Sequence, residues 1–279
     1  MQQQLERKSI KLAHLYPTEL SISFVETDRK HHSYQIDRHC HDRCEIYVNL
    51  SGDVSFMVED TLYPVSYGEA IVTRPWEHHH CVYLSDRPHA HYWFLFSAEG
   101  SEALYPHYFD RLPGERNRIS PRGENKEHLV ALCRSLYENQ TEELKACADF
   151  FALQSLLAES AGKTDKPRKG APAELEAMLE CIRGSFPVMP TVEKLASVGH
   201  VSVSTGERLF RQHIGMTPMQ YMKEKRLEKA MELLAHGMNV TETAMECGFC
   251  DSSYFILQFR KRYGITPSVY RKKASIPSV

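Results

Sequence analysis

Near the front of the chain, donors suited to metal ions or polar ligands are concentrated in one stretch: His39-Cys40-His41, Glu45 after three residues, and Gly52 after six more. Downstream, Gly68 is followed by Pro75 and by the run His78-His79-His80. Imidazoles with a carboxylate suit a divalent transition metal, and strand alternation would put His39 and His41 on one face. The same groups can instead line a small-molecule pocket or satisfy hydrogen bonds, since imidazole both donates and accepts.

Short strands must position these donors. Glu45 to Leu50 leads into Ser51-Gly52-Asp53, and Val54 to Val58 follows with apolar alternation, the pattern of a hairpin. Tyr67-Gly68 marks another turn, Ala70 to Thr73 another strand, and His89 to Ser97 a last one through Trp93 and Phe94. Many short strands without helices between Ile22 and Ser97 imply a barrel or sandwich. In this setting the histidine pattern resembles the two motifs of the cupin barrel. The resemblance places His39, His41, Glu45 and His79 where cupin enzymes carry metal ligands. The first motif matches in spacing; the second departs from the pattern, because Trp76 stands where the family has glycine.

Residues 98 to 123, with Pro106, Pro113, Gly114, Pro121 and Gly123, read as loop and turns. Two helical stripes follow, Leu129, Leu132, Cys133, Leu136 and Tyr137, then Phe150, Leu153, Leu156 and Leu157. Such an antiparallel pair can pack on the barrel or form a dimer interface. Ser160 to Pro172 has no large apolar residue and reads as a linker.

Beyond it the chain repeats itself. Phe210-Arg211, Gly215, Thr217-Pro218 and Tyr221 return as Phe259-Arg260, Gly264, Thr266-Pro267 and Tyr270, each 49 positions later. Each copy reads as a short helix, a turn, a helix carrying Phe-Arg, a glycine stop, and Thr-Pro opening the next element, which is the grammar of a helix-turn-helix. Thr191 and Ser202 are placed to cap the first two helices, and Asp251 or Ser252 to begin the later one. A helix of about 18 residues joins the units and spans ~27 Å at ~1.5 Å per residue. Major-groove faces recur every ~34 Å, so one chain can set both recognition helices into successive grooves.

The region from Ala173 to Lys273 resembles the AraC family of transcription regulators, most specifically in Arg226-Leu227-Glu228-Lys229-Ala230, Gly248-Phe249, Ser252-Ser253-Tyr254-Phe255, Phe259-Arg260-Lys261 and Gly264-Ile265-Thr266-Pro267. The cupin-like front with its helix pair fits that family's sensor domain. The resemblance implies that Ser204, Thr205, Glu207, Arg208 and Arg211 of the first recognition helix face DNA while Leu209 and Phe210 face the core. Arg208 is the foremost base reader, because a guanidinium bonds guanine bidentately. In the second unit Ser252, Ser253 and Ile256 form the exposed face, Arg260, Lys261 and Arg262 suit phosphates, and Tyr254, Phe255 and Phe259 are expected in the core. Three residues depart from the family pattern: Gly206 replaces a large apolar residue, Leu257 an arginine and Cys250 a capping serine. In the family a His-x-Trp pair on a late strand contacts a sugar, and His91-Tyr92-Trp93 falls in the equivalent place. His39, His41, Glu45, Trp76, His79, His91 and Trp93 are thus the expected ligand-binding set, with His39, His41, Glu45 and His79 also the candidate metal set.

Charge divides along the same line. Residues 1–162 carry 16 Lys+Arg against 24 Asp+Glu, and residues 163–279 carry 18 against 12, so only the back is basic enough to meet a polyanion. The eight cysteines lack the density and spacing of a disulfide framework. No signal-peptide core or membrane-spanning apolar run is present, so the expected location is the cytoplasm. The expected fold is α+β in two domains: residues 1–162 a cupin-like β-barrel with a helix pair, 163–172 a linker, and 173–279 an all-α double helix-turn-helix. The expected function is that of a sequence-specific transcription activator, not an enzyme, sensing a sugar or other small polar metabolite. Its expected partners are promoter DNA, the effector, RNA polymerase and a second copy, with a divalent transition metal in the barrel as the one cofactor in view. A cupin metalloenzyme fused to a DNA-binding module, and a ligand-independent DNA-binding protein, are the competing readings.

Overall fold

The computed structural model describes residues 6–11, 19–27, 38–85, 87–139, 142–162 and 171–274. The chain divides into two compact units, Met1–Ala171 and Pro172–Val279. Most of the expected linker, residues 163–170, lies outside the described residues.

In the first unit the strands are β1 (Glu6–Lys11), β2 (Glu19–Thr27), β3 (Cys44–Ser51), β4 (Val54–Val58), β5 (Thr61–Val65), β6 (Ala70–Thr73), β7 (His79–Tyr83), β8 (His89–Phe96) and the short β9 (Arg118–Ile119). They form a six-stranded sheet in the order β1-β2-β8-β3-β6-β9 and a three-stranded sheet in the order β5-β4-β7. The hairpin at Gly52 carries the chain from one sheet to the other. Gly52 has φ +98, and a Cβ there would sit 2.5 Å from that of His89, so the turn requires glycine.

Two-residue alternation gives β3 two different faces. Ile46 and Val48 bury outward with Phe94 and Phe96 of β8, while Tyr47 turns inward with Ile71 to meet Val54, Phe56, Val58, Val65 and Cys81 of the other sheet. The short helix α1 (Pro106–Phe109) precedes α2 (Glu124–Glu138) and α3 (Glu143–Ser160). Leu129, Leu132, Cys133 and Leu136 of α2 and Phe150, Leu153 and Leu157 of α3 close the outer core, with the Phe96 and Phe150 rings 5.2 Å apart at 73°. Each such side chain stabilises by about 1.5–3 kcal/mol on burial, so the two helical stripes pack the sheet.

The second unit is helical: α4 (Ala173–Gly184), α5 (Val192–Val198), α6 (Val203–Ile214), α7 (Pro218–Ala235), α8 (Val240–Glu246), α9 (Ser252–Tyr263) and α10 (Pro267–Ala274). Thr191, Ser202, Thr217, Asn239 and Asp251 cap the starts of α5 to α9 through their side-chain oxygens. At Thr217 the cap is reciprocal: Gln220 N donates to Thr217 Oγ1 at 3.2 Å, and Thr217 N to Gln220 Oε1 at 2.8 Å. Helices α6 and α9, 12 residues each, both end on a left-handed glycine, Gly215 at φ 81° and Gly264 at φ 75°.

The sequence repeat is a repeat of packing. Phe210 meets Tyr221 at 5.9 Å and 61°, and Phe259 meets Tyr270 at 5.9 Å and 60°. In each copy a fully buried ring on the second helix rests on the first turn of the following helix, which fixes the angle between them. No helix among the described residues is long and apolar enough to cross a membrane.

Candidate effector site and nucleic-acid interface

The donors of the first unit converge. Ligand atoms of His39, His41, Glu45 and His79 all lie within 4.8 Å of one another. Strand alternation, the expected device, does not assemble them: His39 makes only an isolated bridge, and His41 lies outside any strand. The segment is held instead by a reciprocal backbone pair, His39 N to His79 O at 3.0 Å and His79 N to His39 O at 2.8 Å. Glu45 and His79 are buried, at 4% and 1% exposure.

Hydrogen bonding orients two of the rings. His41 Nδ1 lies 3.0 Å from the Arg43 carbonyl oxygen and His79 Nδ1 2.8 Å from that of Glu77. A carbonyl only accepts, so both Nδ1 atoms carry the proton. The two Nε2 atoms face one oxygen, Glu45 Oε2, at 3.1 and 3.2 Å. Burial alone would raise the Glu45 carboxyl, but His79 and His41 hold it well below the usual carboxylate range. Burial likewise works against a charged His79, and the adjoining Glu45 outweighs it and raises the ring. A cation, proton or metal, must sit between each Nε2 and the carboxylate, because two lone pairs do not bond.

The rest of the inner wall follows from register. Tyr47 pairs with Trp93 and Asn49 with His91 across β3 and β8, while Ser23 of β2 pairs with Trp93 from the other side. Cross-strand partners share a face, so Glu45, Tyr47, Asn49, His91 and Trp93 line one interior surface. His91 stacks on Tyr47 at 4.5 Å and on His89 at 5.4 Å, and its Nδ1 has no hydrogen-bond partner among the described residues. Burial, reinforced by His89, pushes its pKa down to about 3, so the ring is neutral and available to a polar ligand. Tyr47, Asn49 and Ser23 were absent from the expected set, although counting alternate residues from Glu45 reaches the first two.

Trp76 departs from expectation. Its side chain is 64% exposed and its backbone is left-handed at φ 66, with its N–H donating to the His41 carbonyl at 2.8 Å. The position suits glycine, the residue the cupin pattern has there, and the indole stands in solvent rather than on the inner wall. A further open groove, of about 450 Å³ and lined by residues including Gly52, Asp53, Val65, Tyr67 and Leu84, lies beyond the opposite end of β3 from Glu45 and contains none of the expected ligand residues.

In the second unit α6 presents Ser204, Arg208 and Arg211 to solvent, with Thr205 and Glu207 half-buried and Leu209 and Phe210 buried. Arg208 reaches Gln212 on its own helix at 3.4 Å, and Arg211 reaches Glu207 at 3.5 Å; exposed contacts of this length leave both guanidinium groups free to swing onto DNA. On α9, Ser253, Ile256, Arg260 and Lys261 are exposed as expected, and Ser252, as first residue of the helix, is half-buried. Phe255 and Phe259 are in the core, but Tyr254 is 50% exposed beside Leu257 at 61%. The core stripe runs through Phe255 and Phe259 at i and i+4, and Tyr254 falls off its edge. Arg262, half-buried, is bonded to Glu224 of α7 and lies over the Tyr263 ring. At Cys250, the missing capping serine is made good by Asp251, whose Oδ1 accepts from Ser253 N at 2.7 Å.

Comparison with known proteins agrees with both units. Residues 21–160 match the model of the AraC-like ligand binding domain, and residues 195–273 that of a helix-turn-helix domain. The chain is 24% identical over 254 residues to the HTH-type transcriptional activator RhaR of Pectobacterium carotovorum subsp. carotovorum (strain PC1), covering 84% of this chain and 86% of that protein. It is 31% identical over 145 residues to the HTH-type transcriptional activator RhaS of Escherichia fergusonii, covering 52% of each. Among solved structures, a transcriptional regulator from Chromobacterium violaceum with an AraC-type DNA-binding domain is 26% identical, covering 38% of this chain and 95% of that one, at a TM-score of 0.36. With its ligand-binding domain in front and its duplicated helix-turn-helix behind, the chain belongs to the AraC family of transcription regulators and is a regulator rather than an enzyme.

Proposed function

We propose that the protein is a ligand-responsive activator that binds promoter DNA sequence-specifically through α6 and α9 and senses a sugar or similar small polar metabolite on the inner wall of the first unit. The observation that carries the reading is the convergence of Tyr47, Asn49, His91 and Trp93 on one inner face, with His91 Nδ1 unsatisfied. A polyol needs that mixture of stacking surface and directional hydrogen bonds. Activation is taken over from relatives named as activators, and with it RNA polymerase as a partner.

Dimerisation has its own support on α3. Leu144, Ala148 and Phe151 recur at i, i+4 and i+7 on the solvent side, with Leu144 79% and Phe151 37% exposed. A second copy would bury them. Ligand binding then acts by favouring one of two placements of the DNA-reading units, which requires different affinities for the two states.

The test is a thermal-shift screen of sugars and related polar metabolites on the full chain, joined to promoter-fragment binding at fixed salt. A ligand that binds only the folded state raises the apparent Tm by mass action. A hit that changes promoter affinity supports the reading. Equal affinity for promoter and competitor DNA, with no hit, rejects it in favour of a ligand-independent DNA-binding protein.

A further inference from the structure

We infer that α9 reads thymine: Leu257, flanked by Ile256, packs against C5-methyl groups in the major groove and selects A·T pairs by apolar contact. The inference deepens the proposed function and rests on its reading that α9 meets promoter DNA.

The first ground is the repeat itself. The offset of 49 that carries Phe210 onto Phe259 also carries Arg208 onto Leu257. The two copies present these positions alike. Helices α6 and α9 are each 12 residues long and end on a left-handed glycine, and the rings of Phe210 and Phe259 rest on Tyr221 and Tyr270 at the same 5.9 Å. Leu257 therefore stands on α9 where the foremost base reader stands on α6.

The second ground is what changes between the copies. Ser204 and Arg211 return as Ser253 and Arg260, whereas Thr205, Glu207 and Arg208 return as Tyr254, Ile256 and Leu257. All three replacements are exposed. Polar reading positions have thus become apolar or aromatic on a framework that did not change. Leu257 is the outermost of them: at ~100° per residue it points directly away from the midpoint of the buried Phe255 and Phe259. Adjoining apolar groups left in solvent mark a surface that something covers.

Charge names the occupant. No exposed residue of α9 is acidic, and Arg260 and Lys261 stand exposed one turn on from Ile256 and Leu257. Such a face suits a polyanion. Among the groups that base edges present in the major groove, the thymine methyl is the apolar one; the others donate or accept hydrogen bonds. Leucine can do neither. A G·C pair in that place would set a dehydrated polar group against it, which is costly without a partner.

The experiment begins with in vitro selection of random-sequence duplexes by the full chain. Each thymine of the enriched site is then replaced singly by uracil, which lacks only the methyl group. One or two thymines should each weaken binding about 4-fold on replacement, the factor equivalent to ~0.8 kcal/mol per buried carbon group. Leu257→Ala should bind the thymine and uracil forms alike at those positions, and Leu257→Arg should shift the preference there toward guanine. Arg208→Ala should keep the thymine preference. Circular dichroism checks that each variant is folded. An enriched site indifferent to uracil throughout, or a thymine preference that survives both Leu257→Ala and Ile256→Ala, overturns this inference and leaves the DNA-reading proposal standing. Selection that enriches no sequence removes both. Variants that bind DNA as the parent does but fail to activate transcription in vitro would mean that a protein covers this face instead.

Discussion

Arg111 donates to both oxygens of Glu77, at 2.7 and 2.8 Å, with both side chains buried. The same carboxylate accepts from Gly114 N at 2.7 Å and Asn117 Nδ2 at 2.9 Å, so it ties the loop after α1 to the segment that leads into His79. Burial works against the charged carboxyl, and Arg111 overrides it and holds Glu77 below its ordinary range. Replacing Arg111 by Met strands a buried charge and should cost about 3–5 kcal/mol of unfolding free energy. Adding Glu77→Leu should recover only part of this, because Gly114 N then loses its acceptor, while Asn117 Nδ2 keeps only the Val72 carbonyl. Urea denaturation of the two variants measures both effects; full recovery in the double variant would mean the backbone bonds carry nothing.

The two recognition helices should contribute unequally. Arg208 is exposed on α6, whereas the corresponding face of α9 presents Leu257 beside Arg260 and Lys261. Arg208→Ala should cost roughly 1–3 kcal/mol in promoter binding and relax specificity at one base position. Arg260→Ala or Lys261→Ala should weaken binding to all sequences alike and reduce the salt slope by about one each. Footprinting with binding isotherms at several salt concentrations distinguishes the two behaviours, and a sequence-specific loss at Lys261 would reverse the assignment.

What could be read from the sequence was what is local. Thr191, Ser202 and the Thr217-Pro218 pair cap the helices their positions implied, because a cap involves residues only two or three apart. The 49-residue repeat likewise became two matching ring contacts, Phe210 with Tyr221 and Phe259 with Tyr270. The strand β7 was hidden, since His79-His80-Cys81-Val82-Tyr83 opens on histidines and does not alternate in polarity. The Arg111–Glu77 clamp, 34 residues apart, and the backbone pair of His39 with His79 have no local signature at all. Tyr254 looked like core because its neighbours Phe255 and Phe259 are; one step of helix rotation, about 100°, carried it into solvent.

Trp76 allows a clean separation of stability from recognition. A left-handed backbone at φ 66 costs a non-glycine residue about 1–2 kcal/mol, and glycine gives back roughly 0.5–1 kcal/mol of that in chain entropy. Trp76→Gly should therefore leave stability unchanged or raise it by up to about 1 kcal/mol. Its N–H bond to the His41 carbonyl survives the change. Because the indole is in solvent, the ligand-induced rise in Tm should stay as in the parent, while Trp93→Ala should abolish it. A lost response in Trp76→Gly alone would return the indole to the site.

Acid should weaken the first unit through two buried rings. Burial lowers His91 to about 3 and His107 to about 4, whereas either ring in the unfolded chain takes its proton near the ordinary value of 6.5. The unfolded state therefore binds more protons below pH 6.5, and stability falls as the pH drops from there toward the folded-state values. Each ring should cost about 2 kcal/mol between neutrality and pH 5. The groups around His91 do not compensate: Tyr47 and His89 stack on it, and Glu45 is only a weak opposing influence. His91→Gln and His107→Gln should each flatten the acid limb of a Tm-against-pH profile, and an unchanged slope would show that other groups set it.

Gly206 is a departure from the family pattern that the structure can be asked to reverse. It lies mid-helix in α6, buried, and its φ is not in the left-handed region, so nothing in the backbone demands glycine. A Cβ there would meet Met178 Sδ at 3.5 Å and Val201 Cγ2 at 3.8 Å, both ordinary contacts. Alanine in a helix interior is favoured over glycine by about 1 kcal/mol, partly by narrowing the unfolded ensemble. Gly206→Ala should thus raise the stability of the second unit by about that amount. Larger residues are a different case, because the space beyond Cβ is held by Met178 of α4 and a branched side chain must push that helix. Gly206→Leu should therefore destabilise, by the ~1–3 kcal/mol typical of overpacking, unless Met178 is shortened with it. Chemical denaturation of Gly206→Ala, Gly206→Leu and Gly206→Leu/Met178→Ala measures the three together. If leucine alone stabilises, then α4 yields more readily than its buried Leu175, Met178, Leu179 and Ile182 imply.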